Sequence, residues 1–139
     1  MSYFISSDKR LLDIPLIHRE LANSYWAKGI PLDVVEKSIE HSLCFGVYTA
    51  SNEQVGFARM ITDRATFAYL SDVFVVEKAK GEGLGKQLIK AIDEHPELQG
   101  LRRIMLATSD AHGLYRQFGY QEVSNPQILM QKWNPAIYD

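Results

Sequence analysis

The sequence predicts a single α/β domain of the α+β kind, built on a mixed, mostly antiparallel sheet with about four helices. Three observations lead there. Runs rich in Val, Phe, Tyr, Thr and Ile, joined by short polar turns, make a strand meander over residues 43–76. A glycine-rich turn, Gly81-Glu82-Gly83-Leu84-Gly85, then leads from the last of these strands into an amphipathic helix. A further strand, Arg103 to Thr108, follows that helix, and a crossover of this kind gives parallel pairing with the strand before it.

Each element has its own signal. Tyr3 to Ser6 reads as a first strand. Asp13 is placed to cap a helix from Ile14 to Trp26, with Pro15 tolerated in its first turn. Ile14, Ile17, Leu21 and Tyr25 form its inward stripe. Gly29 ends it, and Pro31 opens a second helix with Leu32, Val35 and Ile39 inward. Strands at Leu43 to Thr49, Gln54 to Thr62 and Thr66 to Val76 follow, and their short connections make them antiparallel neighbours. The helix after the glycine turn aligns Leu84, Leu88, Ala91, Ile92 and His95, and Pro96 stops it. Asp110 is expected to cap a helix from Ala111 to Phe118, closed by Gly119. Ile128 to Trp133 reads as a last strand.

Bulk properties narrow the function. At 139 residues the chain fits one domain, 1–139, with a single sizeable core. A net charge of -2 argues against a nucleic-acid platform. Nothing approaches the run of about 18 apolar residues that a membrane span needs. The lone cysteine, Cys44, rules out an internal disulfide framework and suits a reducing cytoplasm. Between Leu43 and Phe45 it reads as a buried structural thiol. No metal is called for.

The glycine turn carries the chemistry. A strand running through glycines into a helix aims free backbone N–H groups at one point, beside the positive end of the helix dipole. Such a place binds phosphate. Lys78, Lys80, Lys86 and Lys90 add positive charge against one internal acid, Glu82. The competing reading is a tight turn with no ligand. Two common phosphate loops fail on spacing. For a P-loop the first glycine falls on Lys80 and the Ser/Thr on Gln87. For a dinucleotide fingerprint the third glycine falls on Lys86 or Leu88.

Lys80-Gly81-Glu82-Gly83-Leu84-Gly85 resembles the acetyl-CoA signature (R/Q)-x-x-G-x-(G/A) of the GNAT superfamily of N-acetyltransferases, with Lys80 at the Arg/Gln position. A second segment supports it. Ala111, Leu114, Tyr115, Gly119 and Tyr120 match the GNAT helix pattern A-x-x-L-Y-x-x-x-G-(F/Y), one strand further on. The resemblance implies a small, single-domain, bacterial-type member. It implies the GNAT fold, with about six to seven strands and a central parallel pair that splays apart. It also implies acetyl transfer from acetyl-CoA to a primary amine of a small molecule or peptide, by direct attack in a ternary complex. A homodimer is among the states it leaves open.

Residue by residue, the resemblance places pantetheine along Val73, Phe74 and Val75, held as an added strand would be. It places the pyrophosphate on the backbone of Lys80, Gly81, Glu82, Gly83, Leu84, Gly85 and Lys86. The Lys80 side chain brings charge without arginine's bidentate fork. Tyr115 falls where the family often keeps the proton donor to the CoA sulfur, a task a phenol of pKa about 10 suits. The general base is open, because Tyr69 and Ser71 stand where relatives carry Glu or His. Trp26, Arg59, Tyr69 and Asp72 are candidate acceptor contacts. Asp72 would attract a cationic amine and Arg59 an acceptor carboxylate, and both pictures stand at this point. Strand alternation puts Asp72 on the opposite face unless a β-bulge intervenes. A non-catalytic acyl-CoA-binding regulatory module is the alternative function.

Overall fold

The computed structural model describes residues 2–139. Its elements are β1 (Tyr3–Ser6), α1 (Ile14–Ala22), α2 (Leu32–Glu40), β2 (Leu43–Thr49), β3 (Gln54–Thr62), β4 (Phe67–Val75), α3 (Leu84–Glu94), β5 (Arg103–Leu106) and α4 (His112–Arg116). The strands form one sheet in the order β1-β2-β3-β4-β5. All pairs are antiparallel except β4 with β5.

β2 and β3 are buried almost throughout, because helices cover both faces of the sheet. On one face α1 and α2 bring Ile17, Leu21, Val35 and Ile39 against Cys44 and Phe57. On the other, α3 brings Leu84, Leu88, Ile89 and Ile92 against Phe45, Val47, Val55 and Met60. Cys44 is 1% exposed, and burial pushes its thiol up to about 11. Phe57 is central to this core at 0% exposure.

Local chemistry sets the helix ends. Asp13 caps α1 by accepting from the Leu16 N–H at 3.1 Å. The helix stops at Ala22, short of the expected Trp26. The Asn23 side chain donates to the Arg19 carbonyl at 2.8 Å, and Ser24 Oγ donates to that of Leu21 at 2.6 Å. Polar side chains that compete for helix carbonyls favour an ending. α4 is also shorter than expected. Asp110 does not cap it; Thr108 Oγ1 accepts the Ala111 N–H instead, at 3.1 Å.

The sheet has five strands, against the six to seven expected. The predicted last strand is missing: residues 128–133 form no ladder, and only a short 3-10 turn (Pro126–Ile128) interrupts the C-terminal arm. The arm ends against the body, where Tyr138 packs on the α1–α2 side of the core. Its backbone carbonyl stands where a Cβ on Gly29 would come within 3.1 Å.

Tyr48 lies over Gly46 on β2, its hydroxyl 2.2 Å from where a Gly46 Cβ would stand. Glycine is therefore required there, and the ring covers the gap it leaves. Phe4 stacks on Tyr48 with centroids 5.3 Å apart. The Tyr48 hydroxyl is buried without a partner, and burial pushes its pKa up to about 12.

Candidate active site

β4 and β5 pair only from Phe67 with Arg103 to Leu70 with Leu106. Beyond that point β5 ends and β4 runs on alone through Val75, so the sheet opens into a V. The cleft inside it measures about 800 Å³. Ser71 to Val75 line one wall. Leu106 to Ala111, with Leu114 and Tyr115, line the other. The parallel pair thus parts as the family resemblance led one to expect.

A bulge shapes the β4 wall. Phe57 pairs with Phe74 and Arg59 with Ser71, so Ala58 alone faces two residues, Asp72 and Val73. Asp72 takes up the extra length in the left-handed region, at φ 58°. The bulge turns its side chain to the cleft, where alternation alone would have hidden it. The carboxylate is fully engaged. Arg59 Nε donates to Asp72 Oδ2 at 2.8 Å, and Trp26 Nε1 donates to Asp72 Oδ1 at 2.9 Å. Arg59 Nη1 also donates to Ser42 Oγ at 3.1 Å. Both charges are deeply set, with side chains 15% and 7% exposed. Trp26, Arg59 and Asp72 therefore form one unit, in which Arg59 lies beneath the cleft and does not line it.

At the phosphate end, Gly81 and Gly83 have φ 86° and 74°, and α3 starts directly after Gly83. A Cβ on either would meet nothing within 4 Å. The space over the turn is therefore open. None of the amides from Gly81 to Lys86 donates to an acceptor among the described residues. Unsatisfied amides at the positive end of a helix are an anion site. Leu84 contributes only its backbone, since its side chain is in the core. Glu82 and Lys86 are exposed. Lys80 reaches the cleft but pairs with Glu77 at 3.0 Å, and Lys78 pairs with Glu53. The positive field is thus carried more by the backbone than the count of lysines suggested.

Tyr115 is 7% exposed and lines the cleft. Burial raises its pKa above 10, and Tyr25 and Asp110 add to the rise. Its phenol is protonated at neutral pH. Tyr69 and Ser71 also line the cleft. Tyr25, expected in the core, is instead 65% exposed at the cleft mouth, because α1 has already ended. Ser109 Oγ donates to its hydroxyl at 2.9 Å, joining the two walls. Of the lining residues, sequence reasoning missed Ser109, gave Tyr25 to the core stripe and gave Asp110 to a helix cap. The adjacent aromatic pair just before Gly29 was the signal available for Tyr25. His112 lies in a neighbouring groove, away from the cleft. Asp63 lies outside the cleft: it accepts from the Thr66 hydroxyl and from the Ala65, Thr66 and Phe67 amides in the β3–β4 turn, and these bonds hold its carboxyl far below the usual range.

A family model described as an acetyltransferase (GNAT) domain matches residues 17–130. The chain belongs to the GNAT acetyltransferase family. A provisionally named acetyltransferase of Gibberella zeae is 34% identical over 81% of this chain and 75% of its own length. A crystal structure of a provisionally named GNAT-family acetyltransferase from Xanthomonas campestris pv. campestris is 52% identical, with a TM-score of 0.96 over 99% of this chain and 97% of that one. Glucosamine-6-phosphate N-acetyltransferase from Arabidopsis thaliana shares the fold at a TM-score of 0.66 and 17% identity, over 96% of this chain and 99% of that one. GNAT acetyltransferases use acetyl-CoA as cosubstrate. The open turn, its unengaged amides and the one-sided β4 edge in this GNAT chain fit that molecule.

Proposed function

We propose that this protein moves the acetyl group of acetyl-CoA to a primary amine of a small molecule or peptide, by direct attack in a ternary complex. The observation that carries the reading is the set of unengaged amides from Gly81 to Lys86, directly beside the cleft where β4 leaves β5. In this reading those amides hold the pyrophosphate. Val73, Phe74 and Val75 offer the β4 edge to the pantetheine amides as a missing strand would. The thioester then lies between the bulge and Tyr115. The neutral amine attacks the carbonyl carbon, the C–S bond breaks, and Tyr115 gives its proton to the departing thiolate. The proton lost by the amine leaves through water. The Asp110 carboxylate, exposed and in no ion pair among the described residues, draws the ammonium form to the mouth beside Tyr25, Trp26 and Tyr69. The Arg59–Asp72 pair offers no net charge to an acceptor, so neither an acidic nor a cationic substrate is chosen by it.

Calorimetric titration with acetyl-CoA tests the cradle. Gly83→Glu places a carboxylate in the open space over the turn and should weaken binding by at least about 100-fold, with the fold retained by circular dichroism. Equal affinity in both proteins would defeat the assignment. A panel of polyamines, amino acids, aminoglycosides, arylalkylamines and peptide N-termini should then include one that accelerates release of free CoA. Tyr69 and Ser71 in the cleft, with no Glu or His at either position, favour a second reading, a non-catalytic acyl-CoA-binding module. That reading expects tight CoA binding and no acceptor-dependent release.

A further inference from the structure

Trp26 stands in the loop between α1 and α2, lines the cleft and is 43% exposed. A loop side chain that open to water would sample several rotamers. This one is held by a chain of bonds. Its Nε1 donates to Asp72 Oδ1 at 2.9 Å, Arg59 Nε donates to Asp72 Oδ2 at 2.8 Å, and Arg59 Nη1 donates to Ser42 Oγ at 3.1 Å. Ser42 is buried, and neither charged side chain is more than 15% exposed. The bonds run from the residue before β2, through β3 and β4, out to the cleft. A buried ion pair adds little stability over apolar packing of equal volume. What this one supplies is a fixed place for an indole.

The way the indole is held decides what an acceptor meets. Its one polar atom is spent on Asp72, so Trp26 has only hydrocarbon and π surface left to offer. Tyr25 meets it edge-on, with centroids 5.0 Å apart and the rings at 82°. A corner of this kind presents one face and one edge, the contacts an aromatic ring uses best. Arg59 cancels the Asp72 charge. Among the described residues, Lys80 is the only cationic side chain lining the cleft, and it pairs with Glu77 at the phosphate end. An acceptor carboxylate or phosphate would therefore be desolvated at this corner without a partner.

We propose that Arg59 is a positioning residue for the acceptor, fixing Trp26 through Asp72, and that the corner so built takes an amine borne on an aromatic body with no acidic group. The inference rests on the reading of the cleft as the seat of acetyl transfer. Arg59 acts from beneath the cleft, through the carboxylate it shares with Trp26. The ring of the acceptor packs in the Trp26–Tyr25 corner, and its amine points inward along β4 toward the thioester. Fixing the indole before the acceptor arrives lowers the ordering cost of binding.

The chain has two tryptophans, and Trp133 is 73% exposed, so Trp133→Phe leaves Trp26 as the sole indole. In that protein, saturated with CoA, 2-phenylethylamine should change the Trp26 emission to saturation. Ethanolamine, which lacks the ring, and phenylalanine, which adds a carboxylate, should need at least about 10-fold higher concentrations. With acetyl-CoA, kcat/KM should rank the three amines in the same order. Arg59→Met should raise the Kd and KM for 2-phenylethylamine by at least about 10-fold and change the Kd for acetyl-CoA by less than about 3-fold. Arg59→Lys, which restores the charge, should recover part of the loss. A merely structural role would weaken amine and coenzyme together. If Arg59→Met does not fold, Ser42→Ala, which removes only the outermost bond, should still raise the amine Kd by about 3-fold. Saturable binding without acetyl transfer would sink the proposed activity and leave the aromatic-amine site standing. Transfer to other amines, with Trp26 blind to 2-phenylethylamine, overturns the inference alone. So does an amine Kd that ignores the substitutions.

Discussion

Tyr115 has a placement that suits a proton donor: a buried ring lining the cleft, and a pKa raised above its ordinary value chiefly by burial. In the proposed mechanism its task begins only when the C–S bond breaks, so it would stabilise the transition state more than the bound coenzyme. Tyr115→Phe should therefore lower kcat by about 100-fold while the Kd for acetyl-CoA changes by less than about 3-fold. Steady-state kinetics with calorimetry check this, and unchanged turnover would remove the acid role. The upward shift also means that ionisation of Tyr115 should lower the rate only at higher pH than a free phenol would. Residue motifs made Tyr115 legible in the sequence. They did not reveal Ser109, and they left Tyr25 on the core stripe and Asp110 at a helix cap, because these three enter the cleft only through where α1 ends and how the β5–α4 loop turns.

At the scale of elements, the bulge in β4 is the feature on which the site's shape depends. Asp72 holds a left-handed backbone that costs a non-glycine residue about 1 kcal/mol. Its carboxylate offsets that cost through Arg59 and Trp26, and so ties β3, β4 and the α1–α2 loop together. Removing one member of a buried pair leaves the other charge uncompensated. Asp72→Ala should cost about 3 kcal/mol in urea unfolding. Asp72→Asn, which keeps an acceptor and tolerates the left-handed region, should cost roughly half as much. A loss under about 1 kcal/mol in the alanine variant would show that the pair does not hold the bulge. Strands β1, β2 and β3 were readable to the residue, since their turns and apolar runs are local signals. The bulge was not, because it is an offset between two strands and leaves no mark in either alone. Nor was the absence of the sixth strand: Ile128 to Trp133 has strand composition, but a strand exists only where an edge receives it.

For the molecule as a whole, stability should fall in alkali. The unfolded phenol titrates near 10, whereas Tyr48 in the fold is pushed up to about 12. The folded state therefore binds the proton more tightly. Its contribution is intact below pH 10 and is lost as pH rises toward 12, by about 1.4 kcal/mol per unit. Tyr48→Phe should remove its share of that slope, leaving those of the other buried groups Cys44, Tyr115 and Tyr120, and be nearly neutral at pH 7, where it deletes only an unpartnered hydroxyl. Urea unfolding of both proteins at pH 9 and pH 11 decides it; parallel losses in the two would assign the alkaline slope elsewhere. The global architecture was legible because two spaced motifs and a crossover helix fix a parallel pair. What lay beyond reach was relational: which charges cancel, which edge stays open, and where the arm goes. Cys44 has a practical consequence of the same global kind. It is the sole sulfhydryl in the chain, 1% exposed and with its ionisation pushed up to about 11. A disulfide dye added to the native protein near neutral pH therefore finds almost no thiolate to react with. Colour developed in such an assay reports liberated coenzyme alone, so the enzyme can be followed continuously without mutating or blocking it.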